Sequence, residues 1–235
     1  MEFYKLQANG NDFILTISDD ATMLNIPTLC NRYTGIGADG YINIDNKFNV
    51  SIFNADGSKA KMCGNGLRCL VRLLYHLTNN DRFTFYLEGT EVIGYLLDND
   101  YAIEINSPMM VKQNEGYLVN LLNNHYVFMV KEIENFSFET THKNIAIDNK
   151  CNIHAIEIID KSTFKIKTYE YGVGETLSCG SGTIASFYVG YMLNMLNKKV
   201  DVLSSGGPLK CFIKNNKYIL QGPATLVYKG DYYGI

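Results

Sequence analysis

Cys63-Gly64-Asn65-Gly66 and Cys179-Gly180-Ser181-Gly182 decide how this 235-residue chain is read. Each CGxG follows a β-rich run and a glycine-containing loop, and each opens a run with helical spacing. After the first come Leu67, Leu70, Val71, Leu74 and Leu77; after the second come Ile184, Tyr188, Met192 and Met195. These intervals are those of a buried helix face. Both cysteines are therefore expected at the first turn of a helix. There the unpaired backbone N–H groups and the positive end of the helix dipole favour an anion. A thiol ionises most readily in that setting, and a carboxylate binds there without a cationic side chain.

The duplication extends beyond the cysteines. Their spacing, 179 − 63 = 116, is close to half the chain. The same offset carries Asn54 onto Glu170, and a slightly smaller one carries Asn9-Gly10-Asn11-Asp12-Phe13 onto Leu122-Asn123-Asn124-His125-Tyr126. So long a period predicts two similar domains, because a solenoid repeats every 20–50 residues. Working outward, strands are predicted at residues 13–17, 41–44, 50–53, 83–87, 91–97 and 101–105. A second series is predicted at 117–121, 126–130, 145–148, 153–159, 164–170, 200–203, 209–214, 218–220 and 224–228. Asp98-Asn99-Asp100 and Asn215-Asn216 carry hairpin-turn chemistry. Residues 21–33 have weak helical character interrupted by Pro27, and the second CGxG helix is expected to reach about residue 196. Asn106-Ser107-Pro108 breaks the strand pattern. The domains are drawn at 1–110 and 111–235, with a return of the last strand to the first domain left open. The fold class is α/β (α+β), each domain a mainly antiparallel sheet around a central helix.

Composition narrows the function classes. Hydrophobic residues make up 46% and charged residues 19%, as in an ordinary globular protein, and a net charge of −3 gives no basic footprint for nucleic acid. No apolar run approaches bilayer-spanning length, and no cationic and apolar leader precedes the first strand. A soluble, cytoplasmic protein without nucleic-acid or membrane partners is expected. In a reducing compartment the six cysteines argue against a disulfide framework. Cys30, Cys69, Cys151 and Cys211 read as buried small hydrophobes, His76, His142 and His154 as surface or core residues, and Arg68 as an ion-pairing or stem-packing residue. No CxxC or HxxxH spacing suggests a metal.

Phe53-Asn54-Ala55-Asp56-Gly57-Ser58 leading to Met62-Cys63-Gly64-Asn65-Gly66-Leu67-Arg68-Cys69 resembles the signature of the diaminopimelate epimerases. So do Asn9-Gly10-Asn11-Asp12-Phe13 and Gly174-Glu175-Thr176 before Ser178-Cys179-Gly180-Ser181-Gly182. The motifs span nearly the whole chain in order. Proline racemases have a similar cysteine pair but a His where this chain has Asn65. The resemblance implies two α/β domains with a cleft between them, and cofactor-independent inversion at an amino-acid α-carbon, with no PLP. By the same resemblance Cys63 and Cys179 are the two bases. Asn11, Asn54, Gly64, Asn65, Asn123, Asn152, Glu170, Tyr171, Gly180 and Ser181 are substrate-contacting positions, and His125 supports a thiol. A homodimer is also implied.

The chemistry of the residues agrees with that implication. Inversion needs a base on one face of a planar carbanion and an acid on the other, and a thiolate/thiol pair meets the demand in either direction. Free thiols ionise near pH ~8.5 and a helix N-terminus lowers that value. Donors preorganised on the α-carboxylate, where charge builds, must lower most of the barrier. One departure touches the substrate. The family carries an Arg after the Glu at position 170, where it pairs with a distal carboxylate, and here that place is Tyr171. A phenol does not replace a bidentate guanidinium. The reading is diaminopimelate epimerase; the alternatives are a racemase of another amino acid such as histidine, and a non-catalytic amino-acid-binding relative.

Overall fold

The structure, a computed structural model, describes residues 1–19, 24–121 and 123–234. It divides into one unit of Met1–Ile103 with Gly222–Ile235 and another of Glu104–Gln221. In the first unit β1 (Glu2–Ala8) and β2 (Asn11–Ile17) form a hairpin. The chain then passes through α1 (Ile26–Cys30) to β3 (Gly40–Ile44), which lies parallel to β2. β4 (Val50–Asn54) and β5 (Lys59–Ala60) add antiparallel to it, and α2 (Gly64–Thr78) follows. β6 (Arg82–Leu87), β7 (Thr90–Leu97) and β8 (Asp100–Ile105) make a meander.

The second unit repeats those steps. β9 (Met109–Gln113), β10 (Gly116–Leu121) and β11 (Asn123–Met129) run antiparallel, and α3 (Thr140–Asn149) leads to β12 (Asn152–Asp160), parallel to β11. β13 (Thr163–Glu170) and β14 (Gly174–Thr176) are antiparallel, and α4 (Gly180–Met192) follows. β15 (Lys199–Ser204), β16 (Gly207–Lys214) and β17 (Lys217–Gly222) close the series. β18 (Thr225–Asp231) lies antiparallel to β1 within the first unit. Each unit is thus mainly antiparallel around its own central helix, with one parallel strand pair in the first (β2–β3) and two in the second (β11–β12 and β13–β15).

The helices are held by burial more than by amphipathic stripes. α2 packs on β1, β2, β7 and β18, and Leu67, Leu70, Val71 and Leu74 are buried there; Leu77, expected on that face, is 43% exposed one turn further on. α4 packs on β10, β11, β12 and β16 and is buried on all sides from Gly180 to Gly190. It stops at Met192, short of the expected residue 196, because Asn194 turns left-handed (φ 59°) and the Met195 and Leu196 amides both return to the Gly190 carbonyl. Met195 is therefore not on the helix.

Residues 145–148 are not a strand. They lie in α3, whose start is stabilised by the Glu139 amide donating to His142 Nδ1 at 3.1 Å. Alternating Ile145 and Ile147 mimicked a strand, yet Ile145 packs on the cluster of Tyr126, Phe138, Ala146 and Ile153 while Ile147 faces solvent. Near the first helix, Pro27 falls in the first turn of α1, where its missing N–H costs nothing. The expected helical character at 21–23, and Leu122 in the second repeat, lie outside the described residues. Both expected hairpin turns carry paired positive φ values, at Asp98 and Asn99 and at Asn215 and Asn216. Such turns match the strand twist. Among the described residues no helix is long and apolar enough to cross a membrane.

His142 also stacks on Phe128, with ring centroids 5.0 Å apart. Replacing it with Ala removes both the cap and the stack. The expected loss is about 2 kcal/mol of unfolding free energy, read from urea midpoints.

Candidate active site

Both cysteines occupy N-cap positions with extended backbone, Cys63 ahead of α2 and Cys179 ahead of α4. The Cys63 sulfur accepts the Gly66 amide at 3.3 Å, and the Cys179 sulfur accepts the Gly182 amide at 3.4 Å. Each sulfur therefore sits on the positive end of a helix and satisfies one of its orphan donors. Among the described residues no disulfide joins any of the six cysteines. Burial pushes the Cys30 and Cys151 thiols up to about 11, which fits core residues.

In the first unit Asn11 and Asn65 gather at Cys63. The Cys63 thiol donates toward Asn11 Oδ1 at 3.9 Å, and Asn65 Nδ2 reaches the same oxygen at 3.4 Å. Asn11 Nδ2 donates to Asp39 Oδ2 at 2.9 Å, so its amide orientation is fixed by a carboxylate. Asp39 in turn meets Arg32 (2.7 Å), which forks onto Asp12 at 2.6 and 3.0 Å, while Lys5 pairs with Asp12 at 2.7 Å. Burial opposes ionisation of Asp12, but Arg32 and Lys5 hold it well below the usual carboxylate range. Arg68, buried within α2, donates to Asn65 Oδ1 at 2.7 Å and Asn9 Oδ1 at 2.9 Å. It holds two amides in place, a role beyond ion pairing or stem packing. Gly64 opens α2, and Asn54, at the end of β4, donates to Ser58 Oγ.

In the second unit Asn152, Ser181 and His125 gather at Cys179. Asn152 Nδ2 donates toward the sulfur at 3.9 Å while its Oδ1 accepts the Tyr171 amide at 3.0 Å, which again fixes the amide. Ser181 Oγ lies 3.6 Å from the sulfur, and Gly180 opens the helix. Glu170 accepts the Thr176 hydroxyl at 2.7 Å, and Asn123 opens β11 two residues before His125. Tyr171 is 46% exposed. A ring nitrogen of His125, one of His154 and the Cys179 sulfur all lie within 4.8 Å of one another. His125 Nδ1 and His154 Nε2 are 2.9 Å apart, and His154 Nδ1 is 3.1 Å from Thr168 Oγ1. His125 Nδ1 and His154 Nε2 are spent on each other. The wider span also exceeds the roughly 3.5 Å between neighbouring ligands of a tetrahedral zinc site.

His154 and Thr168 escaped the sequence reading. The signal was a histidine in a strand whose neighbours Ile153, Ala155 and Ile156 are all buried apolar residues. The His154 ring lies flat on the first turn of α4: a Cβ at Gly182 would stand 2.0 Å from its Cε1. The fourth position of the second CGxG must therefore be glycine. At Gly66 the nearest obstacle is only the tip of Ile42, at 2.6 Å.

The Diaminopimelate epimerase family model matches residues 3–107 and 117–227. Relatives carrying that name include one from Campylobacter jejuni subsp. jejuni serotype O:6 (strain 81116 / NCTC 11828), 32% identical with 99% of each chain covered. Another, from Prochlorococcus marinus (strain NATL2A), is 31% identical, covering 97% of this chain and 98% of the relative. Among solved structures, a Bacillus anthracis phenazine biosynthesis protein of the PhzF family shares the fold at 13% identity, with a TM-score of 0.76 and 98% of both chains covered. A hydroxyproline epimerase from Agrobacterium vitis does so at 9% identity, with a TM-score of 0.66 and coverage of 98% and 91%. The fold and these matches define an isomerase of the epimerase and racemase class. Within that class, the chain belongs to the diaminopimelate epimerase family.

The buried histidines make stability depend on pH. Desolvation lowers His125 to about 3 and His154 well below its ordinary value. Above about pH 6.5 these histidines are neutral folded or unfolded, so nothing is lost. As pH falls below that value only the unfolded chain takes up the protons, and stability drops. At pH 5 the expected loss is about 2 kcal/mol per histidine relative to pH 7.5, read from urea midpoints.

Proposed function

We propose that this protein is a diaminopimelate epimerase, interconverting the LL- and meso- forms without PLP, with Cys63 and Cys179 as its two acid–base groups. The observation that carries the reading is the pair of cysteine N-caps, each sulfur accepting the amide of the glycine three residues on. In this mechanism a thiolate takes the Cα proton from one face, and the other sulfur, as thiol, delivers a proton to the opposite face. Each turnover leaves the first sulfur protonated and the second as thiolate, the state from which the reverse reaction starts with the roles exchanged. The α-carboxylate gains negative charge in the transition state. The backbone amides at the starts of α2 and α4 are suited to receive it, since they are oriented before the reaction begins. Asn11, Asn65, Asn152 and Ser181 are positioned to orient the substrate; Asn54, Asn123 and Glu170 complete the set carried by the family resemblance. A cytoplasmic homodimer belongs to the same reading.

Incubation of LL-diaminopimelate in deuterium oxide is expected to yield meso product carrying deuterium at the inverted Cα. Cys63→Ala and Cys179→Ala should each reduce inversion by at least about a thousandfold, as expected for loss of a proton-transfer group. Normal turnover by either variant would end the two-cysteine mechanism, and binding of the amino acid with no Cα exchange would favour a non-catalytic relative.

Tyr171 favours a second reading, in which the substrate has a distal end without negative charge, histidine for example. Its backbone amide is tied to Asn152, whose Nδ2 donates toward the Cys179 sulfur. Under the first reading Tyr171→Arg supplies the missing charge. It should lower KM for diaminopimelate about tenfold or more, given the strength of a charge-assisted carboxylate contact. An unchanged or raised KM for diaminopimelate, with L-histidine exchanging its Cα proton faster in the parent, would favour the second reading.

A further inference from the structure

The two sulfurs share their helix-start contact but differ in what else they meet. Asn11 is pinned by its donation to Asp39, so it turns a carbonyl oxygen toward Cys63. An oxygen lone pair there is complementary to an S–H and repels a thiolate. Asn152 is pinned the other way: its oxygen takes the Tyr171 amide and its NH2 is turned toward Cys179, with the Ser181 hydroxyl 3.6 Å from the same sulfur. Donors from three groups surround Cys179, the environment of an anion.

The structure assigns the resting protons accordingly: Cys179 is the thiolate and Cys63 the thiol. It also makes His154 a positioning residue that aims a neutral chain of hydrogen-bond donors, Thr168 to His154 to His125, at the Cys179 end of the site. This deepens the two-cysteine reading above and rests on it. Three buried side chains form the chain, and one order of donation agrees with the surroundings of the sulfur. The Thr168 hydroxyl donates to His154 Nδ1, His154 Nε2–H donates to His125 Nδ1, and His125 carries its proton on Nε2. That Nε2 is buried and has no hydrogen-bond partner among the described residues. A ring nitrogen of His125 lies within 4.8 Å of the Cys179 sulfur, and the opposite order would reverse the direction in which the chain's dipoles point. Both rings stay neutral, so the chain contributes dipoles without burying a charge. Gly182 leaves the space in which the His154 ring lies.

By strand alternation, the titratable groups on the sheet face toward α4 are Tyr117, His125, His154, Glu170, Cys211 and Tyr218, the last packed on Phe187 and Tyr188. On the strands against α2 they are Glu2, Tyr4 and Lys229, bonded to one another, with Arg68 on the helix itself.

The test is the pH dependence of iodoacetamide alkylation, followed separately on the Cys63 and Cys179 peptides of the full chain by mass spectrometry. The Cys179 midpoint should lie below that of Cys63. His154→Leu should raise it by about one pH unit, a tenfold fall in thiolate fraction at fixed pH, while Cys63 stays where it was. Thr168→Val, nearly isosteric and safer for the fold, should raise it by less in the same direction. Nitrogen-15 spectra of the unmodified protein should place His125 and His154 in the Nε2–H tautomer. A lower midpoint at Cys63, Nδ1–H tautomers, or a Cys179 midpoint unmoved in both folded variants would overturn the assignment. Cα exchange with reversed midpoints sinks this assignment and leaves the epimerase standing. The expected midpoints and tautomers in a protein that exchanges no amino-acid Cα proton do the opposite.

Discussion

A sulfur in the place of a helix cap is the constraint from which the rest of each unit follows. An N-cap must accept an amide from the first turn, and Ser, Thr, Asp and Asn do this far better than a thiol. Here the sulfur accepts it at 3.3 Å in one unit and 3.4 Å in the other. The weaker cap is tolerated because burial, not capping, holds these helices: the first turns of α2 and α4 are enclosed by strands. That enclosure brings side chains close to the fourth residue of each motif, and at Gly182 it leaves no room for a Cβ. Ile42 fills the space at Gly66, and the His154 ring fills it at Gly182. The glycine thus serves the sulfur through its amide and the core through its bareness.

Much of this was legible because it is local. A helix start after CGxG, paired left-handed turn residues at Asp98-Asn99 and Asn215-Asn216, and period-2 strands all depend on a few consecutive residues. Where the sequence misled, tertiary burial had overridden the local pattern. Ile145 and Ile147 alternate like a strand, but only Ile145 has a core to enter, and the Glu139–His142 contact settles the helix. The apolar stripe read on α4 was a sample from a helix buried all round.

The site divides along the same line. The cysteines and the asparagines of the motifs could be named from the chain itself. The groups that orient them could not, because each acts across a long sequence separation. Asp39 fixes Asn11 from 28 residues away, Arg68 reaches Asn9 across 59, and His154 meets Thr168 across two strands. A charged or titratable residue buried among apolar neighbours is the trace such groups leave. Arg68 in a helix of leucines and His154 in a strand of isoleucines both leave it. The trace marks a buried partner but does not say which one.

The repeated topology puts the two thiols in equivalent places, and equivalence alone is not what inversion chemistry needs. Inversion needs one thiolate and one thiol; identical surroundings would give each sulfur either role equally, and only a difference in surroundings gives the resting enzyme a preference. The departure from symmetry does not lie in the caps, which match within 0.1 Å. It lies in the amides next to them. In the first unit a salt-bridged carboxylate turns an asparagine oxygen inward, and in the second a backbone amide turns an asparagine nitrogen inward. Each orientation is set by a partner that admits only one answer, since a carboxylate cannot donate and a backbone N–H cannot accept. The polarity at each sulfur is therefore written in residues well outside the CGxG motifs. Duplication can have supplied the pair of helix starts, and divergence of the strands around them supplied the difference.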